Sequence, residues 1–310
     1  MFASVIVPTY NGAQYISLTL ESIISQTISD WELLVVDDGS RDGTLEIVQR
    51  YVDNDRRIRL LKQSVGNVAS SRNLGLSNIA SMSQYVIFLD HDDVLESDAL
   101  LNLISELDAN SEAVAAHGLA RYIDGEGERI REGEAEEWTR NRQCATDDGL
   151  IAWPVSRPTI FAVEAVANYI FTPGQVAIRR SALDAIGPLD PATAPADDYD
   201  LWLRLCAMGD MAFMDRIVLN FRQHSSNQSR RARMMTRKER MVRRKMFNLL
   251  SILPEQRRIA RLGWRLWYRQ LAANRTAWAR EALAHRDLIP AARHMFHAID
   301  SFVVGTLLAR

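Results

Sequence analysis

Cysteine is almost missing from this 310-residue chain: Cys144 and Cys206 are the only two. Their separation matches no metal-ligand spacing, so neither a zinc site nor a disulfide framework is suggested, and the count fits a reducing compartment. Long apolar runs are missing too. The longest candidate, Phe302 to Leu308, falls far short of the ~20 residues that span a bilayer. The first eight residues carry neither a basic stretch nor a long apolar core, so no signal peptide is expected. Neither G-x-G-x-x-G nor a Walker Lys-Ser/Thr occurs, which removes the main support for dinucleotide and P-loop readings. The remaining composition, 47% apolar and 25% charged, is that of an ordinary globular protein.

A net charge of only -2 conceals a lopsided distribution. Residues 230–310 hold 19 basic against 5 acidic side chains, or +14, leaving 18 against 34, or -16, for the rest. An acidic body with a basic tail is a composition shift, and it sets an expected domain boundary at 229–230.

Within the body, short apolar runs alternate with helical periodicity. Ser4–Val7 reads as a strand stopped by Pro8, and Tyr15, Leu18, Leu20, Ile23 and Ile24 read as a helix. Trp31–Val36 is a second strand, followed by a helix with Leu45, Val48 and Tyr51 on one face. Ile58–Leu61, a helix over Val68–Leu76 and a strand over Tyr85–Leu89 complete four alternations. That pattern predicts an α/β fold, a mostly parallel sheet with helices on both faces. In such sheets ligands sit beyond the carboxyl ends of the strands. Three of those ends are polar here: Pro8-Thr9-Tyr10, Asp37-Asp38-Gly39-Ser40 and Asp90-His91-Asp92-Asp93. Three carboxylates within four residues, beside a buried strand, cost free energy unless something positive meets them. A hard divalent cation shared with a substrate's phosphates would do so; a polar turn before a helix capped by Ser97 or Asp98 is the plainer alternative.

Further along, Ala113–Ile123 reads as a strand, 124–150 as a polar loop with a turn at Asp147-Asp148-Gly149, and Val176–Ile178 as a strand leading to a helix capped by Ser181. A second acidic cluster, Asp197-Asp198-Tyr199-Asp200, opens a helix carrying Leu201, Trp202, Leu205 and Met208. Acids there complement the helix dipole, or one of them takes a proton from a nucleophile. His224, at the end of the last body strand, is either a satisfied surface histidine or a metal ligand.

Taken together and in order, these stretches resemble family 2 glycosyltransferases with the GT-A fold. The resemblance is carried by Pro8-Thr9-Tyr10-Asn11, Val35-Val36-Asp37-Asp38-Gly39-Ser40, Asp42-x-Thr44, Ala69-x-x-Arg72-Asn73-x-Gly75, Phe88-Leu89-Asp90-x-Asp92-Asp93, Arg179-Arg180-Ser181 and Asp198-Tyr199-Asp200-Leu201-Trp202-Leu203-Arg204, across residues 4 to about 229. It implies an inverting enzyme, of hexosyl- or N-acetylhexosaminyl-transferase type, that moves a sugar from a nucleotide donor with Mn²⁺ or Mg²⁺. By the same resemblance Pro8, Thr9, Tyr10 and Asp38 line the base and ribose pocket, Arg72 lies near the donor phosphates, and Asp90 meets the ribose or donor sugar. Asp92 is the implied metal ligand, with His224 beside it; Asp198 is the implied general base. Asp93, Asp197, Asp200 and Arg204 are supporting residues. Asp197 stands where glutamate is more usual, which leaves open which of the two neighbours acts as base, and Val65-Gly66-Asn67 departs from the usual loop before Ala69.

The expected function is therefore transfer of a sugar, from UDP by family habit, to a hydroxyl of a glycan or lipid-linked acceptor in cell-surface or exported polysaccharide synthesis. A sugar-phosphate nucleotidyltransferase on the same sheet is the first rival, though it would need a basic Gly-rich loop near residues 8–12. A non-catalytic scaffold on a transferase fold is the second. The tail from 230 interleaves Met234, Met235, Met241 and Met246 with arginines and lysines, then Trp264, Trp267 and Tyr268 with more arginines. Such a C-terminal helical extension suits an anionic membrane surface through 230–270, with a cap on the acidic body or a homodimer interface as alternatives. Nucleic acid is not an expected partner. A cytoplasmic protein, peripheral on the inner face of the cell membrane, is the expected setting.

Overall fold

Every residue of β1 (Ala3–Thr9) is buried, yet successive side chains of a strand point to opposite faces, so both faces of its sheet must be covered. The computed structural model describes residues 2–130, 134–227, 231–248, 253–284 and 288–307. After β1 come α1 (Ile16–Ile24), β2 (Trp31–Asp37), α2 (Thr44–Asn54), β3 (Ile58–Lys62), α3 (Val68–Leu76) and β4 (Tyr85–Phe88), the four alternations expected. The chain continues through β5 (Val94–Leu95), α4 (Ala99–Ala109), β6 (Ala115–Ile123), α5 (Glu134–Arg140), β7 (Gln143–Thr146), β8 (Gly149–Ala152) and α6 (Phe161–Glu164). A single 3-10 turn at Pro173–Gln175 precedes β9 (Val176–Arg179), α7 (Arg180–Ile186), α8 (Asp197–Met208) and β10 (Met211–Arg222). The tail forms α9 (Ala232–Asn248), α10 (Pro254–Ala284) and α11 (Leu288–Leu307).

The main sheet has the order β3-β2-β1-β4-β9-β6-β10-β5. β3, β2, β1 and β4 are mutually parallel. β9 enters antiparallel between β4 and β6, and β10 is parallel to β6 with the short β5 antiparallel at the edge. The sheet is mostly parallel, as expected. Ile6, Leu34, Val36, Val86 and Phe88 pack with residues of α3, α7 and α8 on one face. Val5, Val7, Leu33, Val35 and Ile87 pack with α1, α2 and α4 on the other. At Gly75 of α3 a Cβ would stand 2.4 Å from Ile6 Cγ2, so this glycine lets the helix sit against β1.

Three local expectations are corrected. α7 begins at Arg180, with Arg179 in the cap position and no capping side chain, so Ser181 lies inside the helix; β9 runs straight into α7 with no residue between. Asp98 occupies the cap position of α4 but makes no side-chain cap bond. The stretch 124–150 is not all loop: α5 and the β7–β8 hairpin form there because Ala135, Cys144 and Ala145 find buried places. The turn at Asp147-Asp148 is where it was expected.

α9 lies on the body. Val242 and Met246 join the core, Arg243 donates to the carbonyls of Ala165 (2.8 Å) and Val166 (3.3 Å), and Lys245 bridges Asp190 (2.8 Å) and Asp200 (2.9 Å). At Gly263 of α10 a Cβ would fall 2.0 Å from the carbonyl oxygen of Ala165, so this helix too touches the body. α10 and α11 then pair antiparallel, Arg275 donating to Ser301 Oγ (2.7 Å) and Trp278 meeting His294 edge to face. The expected boundary at 229–230 lies outside the described residues.

Candidate active site

Parallel pairing brings the carboxyl ends of β1, β2 and β4 to one edge, and the turns beyond them are tied to one another. Asn11, at φ 51, accepts from the amide of Arg41 (2.8 Å) and donates its own to Ser40 Oγ (2.9 Å). Asp37 Oδ2 accepts from the amides of Gly39 and Ser40, both at 3.1 Å. Asp38 accepts from the amides of Val65 (2.6 Å) and Asn67 (2.8 Å), and Asn67 in turn caps α3 at Ser70. Asp38 therefore shapes the 65–67 loop with both oxygens. Pro8 and Thr9 are buried, Thr9 Oγ1 without a partner among the described residues, whereas the Tyr10 ring stands 54% exposed at the mouth.

Beyond β4 the carboxylates diverge in environment. Asp92 is partly exposed and meets His224 Nε2 at 2.8 Å; that hydrogen bond and the nearby His91 outweigh its burial and hold its pKa below the usual value. Asp93 is fully buried, accepting from Thr172 Oγ1 (2.9 Å) and the Arg222 amide (3.0 Å). Burial, with Asp92 and Asp90 beside it, pushes its pKa well up. Asp90 is raised by burial and by Asp92, with Arg72 opposing.

Arg72 of α3 joins this cluster to α8. Its Nη2 donates to Asp90 Oδ1 at 2.5 Å and its Nη1 to Asp197 Oδ2 at 2.7 Å. Burial alone would weaken its charge, but Asp197, Asp90 and Asp198 more than offset that and raise its pKa. Asp197 is fully buried, and its Oδ1 has no partner among the described residues. Asp198 is partly exposed and, among the described residues, accepts only from the Tyr199 amide, at 2.7 Å. Burial of its surroundings and the adjacent Asp197 push it up to about 8. Of the two acids, Asp198 is the one with an exposed surface. Asp200, also buried, binds Arg204 (2.9 Å) and Lys245, away from this group.

Among the described residues, no three His, Cys, Asp or Glu side chains converge as a ready metal cage. The arrangement nonetheless fits Mn²⁺ or Mg²⁺, which are commonly held by one or two carboxylates together with substrate phosphates. Asp92 and His224 are partly exposed at the edge, a hard oxygen and an imidazole nitrogen, with the carboxylate of Asp90 close by.

Sequence reading missed the residues that hold this edge in place. Arg222 is 2% exposed and donates to the carbonyls of Asp92 (3.0 Å), Asp124 (2.9 Å) and Gly125 (3.0 Å). Tyr15 lies under it, 4.9 Å from its guanidinium, and 4.9 Å from the His224 ring. Thr172 and Gln175 form a capping box that brings the threonine to Asp93. Only the Thr172-x-x-Gln175 spacing carried a readable signal, as a helix-start pattern.

The family model described as glycosyl transferase family 2 matches residues 4–187. A chondroitin synthase of Escherichia coli is 28% identical over 73% of this chain and 29% of its own length. A hyaluronan synthase of Pasteurella multocida is 26% identical over 73% of this chain and 21% of its own. The chain thus spans less than a third of either relative. S. aureus TarS 1-349 in complex with UDP-GlcNAc superposes with TM-score 0.65, at 16% identity, over 95% of this chain and 90% of that one. The mannosyltransferase PcManGT from Pyrobaculum calidifontis, in complex with GDP-Man and Mn²⁺, gives 0.56 at 19% identity over 97% and 86%.

Proposed function

The chain belongs to glycosyl transferase family 2, and from that premise we propose that it is a metal-dependent inverting transferase. It moves a sugar from a nucleoside-diphosphate donor, UDP-linked, to a hydroxyl of a glycan or lipid-linked acceptor in cell-surface or exported polysaccharide synthesis. The observation that carries this reading is the Arg72 bridge. It ties Asp90, beside the Asp92–His224 pair, to Asp197, and leaves the neighbouring Asp198 with an exposed surface and a raised pKa. The UDP-GlcNAc and GDP-Man held by the two similar structures support a nucleotide-sugar donor. The family match leaves the nucleotidyltransferase rival without support.

Donor binding falls to the edge of β1 and β2. Thr9, Tyr10 and the Asp38-shaped loop line the base and ribose side, with Arg72 toward the phosphates. Asp92 and His224 would hold Mn²⁺ or Mg²⁺, which when bound supplies positive charge to the diphosphate leaving group. Asp198 takes the proton of the acceptor hydroxyl as that oxygen attacks the anomeric carbon from the face opposite the diphosphate. One displacement with one base inverts configuration, and the proton ends on Asp198. Asp197 keeps Arg72 charged and in place, and Arg204 and Asp200 steady the helix.

The test is nucleoside-diphosphate release from UDP-, GDP- and dTDP-sugars, each with Mn²⁺, with Mg²⁺ and with excess chelator. Release from a UDP-sugar that needs metal, Asp92 and Asp198 is the expected result. Sugar transfer that survives Asp198→Asn unchanged would refute the base assignment. No metal-dependent binding of any of these donors would favour the non-catalytic scaffold.

A further inference from the structure

The acidic body and the basic tail meet the solvent differently. Along α11, Leu288, Met295, Phe296, Ile299 and Val303 are 38–70% exposed. Their spacing gathers them on one side of the helix, while Ala298 and Ser301, toward α10, are buried. An apolar stripe of this kind on the surface of a water-facing helix marks an interaction face.

Charge decides what covers it. The tail carries +14 against -16 for the body. α9's share of that charge is partly taken up by the body, through Arg243, Lys245 and Lys238. On α10, the helix that backs α11, Arg269 and Arg280 are exposed. Two copies meeting stripe to stripe would set two such cationic hairpins against each other. A bilayer with anionic headgroups accepts an apolar helix face and neighbouring arginines together, each basic side chain adding to the attraction. None of the described helices is long and apolar enough to cross a membrane, so the contact is with the surface.

We propose that α11 lies in the headgroup region of an anionic membrane, inserting Phe296, Ile299 and Val303 while the arginines of α10 meet the lipid phosphates. This moves the membrane contact from 230–270 toward the last helix, and it stands apart from the sugar-transfer reading.

The experiment is sedimentation of the full chain with vesicles of phosphatidylcholine, with and without phosphatidylglycerol. Partition onto the phosphatidylglycerol vesicles, weakened by salt, is expected. The double variant Phe296→Ser/Ile299→Ser should lose at least about tenfold in partition, since each side chain gives up its apolar transfer. Leu18→Ser, an exposed apolar position on the body, should lose nothing. Unaltered far-UV circular dichroism and melting would show that the double variant folds. Partition unchanged by the double variant overturns the proposal. So does a parent chain that ignores anionic vesicles: a light-scattering dimer dissolved by the double variant would then assign the stripe to a second copy, and a monomer would leave it without a lipid role.

Discussion

Replacing Arg72 by methionine isolates what the buried bridge contributes. The Arg72 side chain is 4% exposed, Asp197 is 0% and Asp90 is 31%. Methionine keeps much of the stem's volume but leaves Asp197 with no cation in a site that water does not reach. Breaking a buried pair by removing one partner costs about 3–5 kcal/mol. For a cooperative unit of this size each kcal/mol lowers the melting temperature by about 2–4 °C, so Arg72→Met should melt roughly 6–20 °C below the parent. Adding Asp197→Asn removes the stranded charge, and the double variant should recover most of the loss because the two sites act as one pair. Sugar transfer should stay low in both variants, since Asp90 and the donor phosphates still lack the guanidinium. Thermal melts of the four proteins of the cycle provide the measurement. A single variant within about 1 kcal/mol of the parent, or a double variant no more stable than Arg72→Met, would refute the claim that the bridge is a desolvated charge pair.

Three other outcomes are expected. With Asp198 protonated below about 8, turnover should climb about tenfold per pH unit toward that value and level off above it, a limb that Asp198→Asn lacks; a profile flat from pH 6 upward would contradict it. Glu164 is fully buried with Oε1 unpartnered among the described residues, and burial lifts it from 4.5 to about 8. Its raised pKa means that the folded state holds a proton the unfolded state has released. The contribution is intact below about 4.5 and is lost as pH rises toward 8, at about 1.4 kcal/mol per unit. Denaturant titrations should show that slope shrinking in Glu164→Gln, and equal slopes would disprove the assignment. Gly75→Ala should cost about 1–3 kcal/mol by overpacking, given the 2.4 Å approach to Ile6 Cγ2, whereas Gly43→Ala, with nothing nearer than 4.0 Å, should be close to neutral in the same melts.

The parallel half of the sheet was legible because each strand is a short apolar run that stops at polar residues, and a fully buried strand leaves that mark whatever its neighbours are. The insertion of β9 was not. Val176–Ile178 reads as a strand, but nothing local says that it pairs backwards between β4 and β6. The acids of the site were legible as clusters, while their division of labour was not: Asp197 and Asp198 are adjacent in sequence and one turns inward to Arg72. Arg222 was overlooked because its partners are backbone carbonyls, which leave no side-chain pattern to read. In the tail, the arginines are densest over 230–270, whereas the exposed apolar face lies on the sparser-charged α11.

The long reach of the site's contacts has a consequence for how the protein comes into being. Arg72 waits for Asp197 across 125 residues, and Asp92 waits for His224 across 132. β1 to β4, by contrast, are complete by residue 88. During synthesis, which runs from the N-terminus, the first strands can pair long before either partner has been made. The nascent chain therefore carries its carboxylates for many seconds without the groups that orient them, at ribosomal rates of about 5–20 residues per second. The carboxylate edge can be completed only once β10 has docked, and pulse-labelled hydrogen exchange at the Arg222 amide, which donates to Asp93, is a way to time that step.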